Sequence, residues 1–184
     1  DHLGIAETIV MGVSAGAPSA IEMAVRYPAR VRALILVVPR AYDPENRVGV
    51  DASTVPNRAV IRMFEKSADF PYWLSSHIAR QPFVRFFGVE PRLEAKAPPA
   101  ERDKITAVID DMLPLSARVS GIRNDTATAV AESRLDGIRA PTLIITAEDD
   151  LYHTLPGAQY TADRIPGAEL KVFPTGGHLL VAHG

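Results

Sequence analysis

The sequence predicts an α/β protein: a mostly parallel sheet with flanking helices and a helical segment inserted between its strands. Three observations carry this expectation. Short apolar runs rich in β-branched residues recur at Thr8–Met11, Val31–Val38 and Thr142–Ala147, as strands buried in a parallel sheet require. The first run passes through Gly12-Val13-Ser14-Ala15-Gly16 straight into a helical pattern. Between residues 41 and 134 strand signals stop, and prolines with short helical stripes replace them.

Composition narrows the classes. A chain of 184 residues holds one domain with a core and an insertion. It is 47% hydrophobic and 23% charged, ordinary for a globular protein. A net charge of −2 without a basic cluster gives no electrostatic footprint for nucleic acid. With no cysteine, disulfides, thiol nucleophiles and cysteine-bound metal are excluded. The longest unbroken apolar run, Ala33 to Val38, is too short to span a bilayer. No signal peptide is visible, so a cytoplasmic location is expected.

Taken in order, Asp1–Glu7 reads as the end of a helix and a connector, and Thr8–Met11 as a short buried strand. Gly-x-Ser-x-Gly follows, the pattern of a nucleophile elbow, in which a strand reverses within a few residues and holds a serine at the tip. Gly12 and Gly16 are expected where a Cβ would collide with neighbouring backbone. Ser14 is expected in a strained backbone region, with the Ala15 amide facing the same space as its hydroxyl.

Pro18 suits a first helical turn. Ala17, Ala20, Ile21, Ala24 and Val25 form the apolar stripe of a helix that Tyr27-Pro28 ends. Val31–Val38 reads as a central strand covered on both faces. Strand, elbow, helix and strand make one βαβ unit over residues 1–40.

Residues 41–134 read as a helical cap. Val60, Met63 and Phe64 share a face, and Asp69 with Pro71 starts a helix into Tyr72, Trp73 and Leu74. Ile105, Val108, Ile109 and Met112 form a further stripe. A longer pattern runs from Ser116 towards Arg134, broken around Gly121. Seven of the twelve aromatics lie between Phe64 and Phe87. They form the small core of the cap, line an apolar substrate pocket under it, or do both.

Residues 135–184 return to strand chemistry. Thr142–Ala147 is a buried strand ending at Glu148, Asp149 and Asp150. Thr154–Ile165 is helical, Ala168–Pro174 is a last strand, and Thr175-Gly176-Gly177-His178 is a loop that ends in histidine. Leu179–Gly184 reads as the start of a helix.

The order of Ser14, an acid after a later strand, and then His178 is informative. A serine hydroxyl needs an adjacent base to become a nucleophile. His178 would take its proton through one ring nitrogen, and a carboxylate on the other would hold the tautomer. Gly176 and Gly177 would let the loop bend.

These segments resemble the second half of an α/β-hydrolase-fold enzyme, a partial fold with a helical cap and without its N-terminal strands. In the stretch Pro141–Asp150, Ala147 occupies the position of a glycine that precedes the family's acid by three residues. The resemblance thus implies Asp150 as the triad acid, with Asp149 as the alternative. It implies a catalytic set of Ser14, Asp150 and His178, an oxyanion hole that includes Ala15, and no cofactor or metal. The implied activity is serine hydrolysis of an ester or related acyl group in a small apolar substrate. Carbon–carbon bond hydrolases and perhydrolases use the same triad.

Family members carry strands before the elbow strand, and a loop there supplies a second oxyanion amide. The expectation is therefore a fragment of impaired activity alone, whose exposed edge strand needs those strands or self-association to cover it. Two further readings are a non-catalytic ligand-binding module and a metal-dependent hydrolase using Asp149, Asp150 and His153. His2, His77, His153, His183 and Glu148 read as surface residues, and Arg123, Asn124 and Asp125 as a solvated polar cluster.

Overall fold

The computed structural model describes residues 4–45, 55–127, 130 and 132–181. Among these residues four strands form one parallel sheet in the order β1-β2-β3-β4: β1 Thr8–Val13, β2 Val31–Val37, β3 Thr142–Ala147 and β4 Glu169–Phe173. Helix α1, Ala17–Arg26, connects β1 to β2, and helix α8, Leu155–Arg164, connects β3 to β4. Between β2 and β3 lie α2 Val55–Glu65, α3 Asp69–Ile78, α4 Arg80–Phe86, α5 Pro91–Lys96, α6 Pro99–Asp110 and α7 Val119–Ala127. The predicted α/β class and parallel sheet are present.

The chain divides into two compact units. One comprises Asp1–Val48, Val130–Glu148 and His153–Pro174; the other comprises Gly49–Ala129, Asp149–Tyr152 and Thr175–Gly184. The acid and histidine segments, expected to belong with the sheet, thus cluster with the helices. Their attachments give the reason. Val181 is buried in the same apolar cluster as Val60, Phe64 and Phe83, and Leu179 packs against it.

In the first unit, α1 and α8 cover the same side of the sheet. Ala20 and Ile21 of α1 and Ala158 of α8 share one buried cluster with Leu34, Leu36 and Ile144. The alternate residues Ile35, Val37, Leu143 and Ile145 are only half-buried. On β1 the same side leaves Ile9, Met11 and Val13 exposed at 58%, 61% and 50%. The expectation that β2 is covered on both faces is therefore corrected: one face is packed by helices, and the other keeps partial access to solvent.

In the second unit Phe64, Tyr72 and Phe83 are core, and Phe86 and Phe87 pack against it. Phe70 and Trp73 are exposed and stack on one another. Three other expectations need correction. Helix α7 continues through Gly121 and ends at Ala127, while residues 130 and 132–134 are not helical. A glycine costs a helix only about 1 kcal/mol relative to alanine, and the next residue, Ile122, packs against the core cluster. Gly4–Glu7 contains no helix. Leu179–Val181 forms turns, because Leu180 has φ +48°, which a right-handed helix does not accommodate. His2, His183 and residues 182–184 lie outside the described residues. Among the described residues, no helix is long and apolar enough to cross a membrane.

Candidate active site

The elbow begins where β1 ends. Val13 is extended, at φ −108° and ψ 131°, and Ser14 turns to φ +48°. A non-glycine residue at positive φ stores strain of roughly 1–3 kcal/mol and persists only where its surroundings enforce it. A single 3-10 turn, Ser14–Gly16, leads directly into α1, whose first turn holds Pro18. The Arg40 amide donates to the Ser14 carbonyl at 3.0 Å and ties the turn to the chain after β2.

The two elbow glycines differ. A Cβ on Gly12 would lie 2.7 Å from Ala17 Cα and 2.8 Å from Ala20 Cβ. Gly12 thus lets the start of α1 pack on the strand that carries the serine. A Cβ on Gly16 would meet no described atom within 4 Å, and Gly16 has φ −78° and ψ −15°, open to any residue. The expected collision holds at Gly12 and fails at Gly16. Ala15 is half-buried within the 3-10 turn, next to the serine.

The second unit brings two of the predicted residues together. Asp150 Oδ2 and His178 Nδ1 are 2.8 Å apart, and the Asp150 side chain is only 1% exposed. The other oxygen, Oδ1, accepts the Tyr152 amide at 2.8 Å, a local turn that aspartate side chains favour. Both carboxylate oxygens are thereby engaged. With Nδ1–H donated to the carboxylate, the imidazole keeps Nε2 as its proton acceptor. Asp149 does not reach the ring: its Oδ1 accepts the Gly177 amide at 2.7 Å and so ties the acid turn to the histidine loop. Gly176 and Gly177 have φ of 145° and 59°, the bend expected before His178.

Two neighbours of the pair went unrecognised in the sequence. The Tyr152 ring lies 4.4 Å from the His178 ring, centroid to centroid. Its hydroxyl donates to the Phe86 carbonyl at 2.7 Å. Burial, and then the charge of Asp150, raise the Tyr152 phenol above its ordinary range, so it stays protonated. The other neighbour is Gly88, whose carbonyl accepts the His178 amide at 3.0 Å. A tyrosine two residues after the acid was a visible signal; Gly88 gave none, being remote in sequence.

The remaining candidates do not gather. His77, His153 and Glu148 are exposed, as are Arg123, Asn124 and Asp125. Asp149, Asp150 and His153 do not form a ligand set, and among the described residues no group of three or more His, Cys, Asp or Glu could hold a metal ion.

The chain is similar to known proteins along nearly its whole length. A family model described as alpha/beta hydrolase fold matches residues 1–183. A Caulobacter sp. (strain K31) protein that carries the name of a carbamate hydrolase, RutD, is 24% identical over 187 residues, 97% of this chain and 61% of that protein. The enol-lactonase from Burkholderia xenovorans LB400 superposes with TM-score 0.62 at 21% identity, over 94% of this chain and 59% of the other. An alpha/beta hydrolase enzyme from a Medee basin deep-sea metagenome library gives TM-score 0.61 at 21% identity, over 96% and 60%. The chain thus spans about three-fifths of the length of the curated relative it matches.

Proposed function

The chain belongs to the α/β-hydrolase fold family, and from that membership we propose that it is a serine hydrolase acting on an ester or related acyl group, with Ser14, Asp150 and His178 as its catalytic set. The observation that carries the reading is the buried carboxylate of Asp150 on His178 Nδ1. It leaves Nε2 to accept the serine proton and stabilises the imidazolium that results.

In this reading Ser14 Oγ attacks the acyl carbon as its proton passes to His178 Nε2. The Ala15 amide donates to the oxyanion of the tetrahedral adduct. Collapse breaks the bond to the leaving group, which takes the proton from His178 and departs, and the acyl group stays on Ser14. Water then repeats the sequence: it loses a proton to His178, attacks the acyl-serine and releases the acid. Nothing in these steps calls for a cofactor.

The substrate is a small molecule with an apolar acyl part. Carbamates and enol-lactones, which give two of the similar proteins their names, are both acyl compounds, so they join p-nitrophenyl esters as the starting panel. We extend the proposal to β1, which lies at one end of the strand order and exposes Ile9, Met11 and Val13 on one face: further segments of the fold or a second copy would pair with its edge and cover that row. The test of function is steady-state hydrolysis of the panel. Ser14→Ala and His178→Ala are each expected to lower kcat by at least about 10³. Turnover indifferent to Ser14→Ala would remove the assignment.

A further inference from the structure

The helical unit holds the acid turn and the histidine loop through one backbone carbonyl. Gly88 follows α4, and its oxygen accepts both the His178 amide at 3.0 Å and the Leu151 amide at 3.3 Å. Leu151 is the residue after Asp150, so a single acceptor ties together the two segments that carry the pair.

The residue at this junction is constrained twice. Its φ is +75°, a conformation that side chains other than glycine rarely adopt. A Cβ there would lie 2.5 Å from His178 Cβ and 2.5 Å from Tyr152 Cδ2, closer than real side chains approach. Gly177 faces it with the same restriction: a Cβ on Gly177 would lie 3.0 Å from the Gly88 oxygen. Two residues without side chains thus let two backbone segments meet at His178.

Tyr152 completes the arrangement. Its amide donates to Asp150 Oδ1, its ring lies against the His178 ring, and its hydroxyl donates to the carbonyl of Phe86, two residues before Gly88. The tyrosine therefore meets acid, histidine and α4 at once. We propose that Gly88 and Tyr152 are positioning residues, a clamp by which the helical segment fixes the Asp150–His178 pair in its reactive geometry. The inference rests on the reading of that pair as catalytic. It adds that the orientation of the base is set from the helical unit as well as by the acid.

The test uses the full chain with Gly88→Ala and Tyr152→Phe. The ring C–H signals of His178 in the proton NMR spectrum, identified by their loss in His178→Ala, report the imidazole without reference to turnover. Both variants are expected to move those signals while circular dichroism stays native. Both should lower kcat with KM unchanged, by about 10²-fold for Gly88→Ala, as misplacement of a reacting group does, and severalfold for Tyr152→Phe. Should Gly88→Ala fail to fold, Tyr152→Phe alone decides. A folded variant with wild-type His178 signals and wild-type kcat overturns the clamp, as does an effect confined to KM. Turnover that ignores Ser14→Ala would sink the functional reading instead, and the NMR signals would still decide the clamp.

Discussion

Asp150 Oδ2 sits 2.8 Å from His178 Nδ1 with the carboxylate buried, while Asp149, one residue earlier, holds the Gly177 amide. Adjacent acids thus have different partners, and they should separate on mutation. Asp150→Asn keeps the shape but presents an amide to Nδ1 and favours the wrong tautomer. It is expected to lower kcat by about 10⁴-fold. Asp149→Asn loses a charge on a backbone amide and should act more weakly, through the placement of the histidine loop. Equal losses in the two variants, measured on one ester, would contradict this division.

Gly12 and Gly16 flank the serine symmetrically in sequence but not in space. Gly12→Ala forces a methyl into Ala17 and Ala20 and is expected to cost about 1–3 kcal/mol of stability. Gly16→Ala enters open space at a helical φ and should leave stability unchanged or slightly raised. Urea unfolding of the two variants checks the contrast; similar midpoints would refute it.

Tyr72, which is buried, and Tyr152, which is half-buried, donate their hydroxyls to the carbonyls of Ile109 and Phe86. Burial raises both above the ordinary value of 10.0, with nearby Asp110 and Asp150 adding to it. A raised folded-state pKa means that their stabilising contribution is intact below pH 10 and is lost as pH rises beyond it. Of the five tyrosines, these two should form phenolate only as the helical signal collapses. Complete phenolate formation by ultraviolet absorbance, with native circular dichroism, would contradict the prediction.

Ile9, Met11 and Val13 form an exposed apolar row on β1. If a second copy covers it, Met11→Lys should lower the apparent mass in light scattering at high protein concentration. An unchanged oligomer would show that the row is not the contact.

Much of the sheet unit was legible because its signals are local. Apolar runs mark β1, β2 and β3, Tyr27-Pro28 ends α1, and Pro166-Gly167 follows α8. The resemblance pointed to Asp150 as the acid with Asp149 as the alternative, and the hydrogen bond to His178 tells their partners apart. What stayed hidden depends on long-range packing. The runs of β2 look alike on both faces, yet helices pack on one. Gly16 looks like Gly12 until Ala17 and Ala20 are placed. Tyr152 reaches Phe86 across 66 positions, a contact with no local periodicity to announce it.

In the proposed function Ser14 is a nucleophile activated by His178 and Asp150. Peptide mass spectrometry after exposure to a fluorophosphonate tests it most directly. One phosphonyl adduct is expected, on the peptide that carries Ser14, with labelling abolished in Ser14→Ala and strongly slowed in His178→Ala. An adduct on another residue, or labelling of wild type and Ser14→Ala at the same rate, would contradict it.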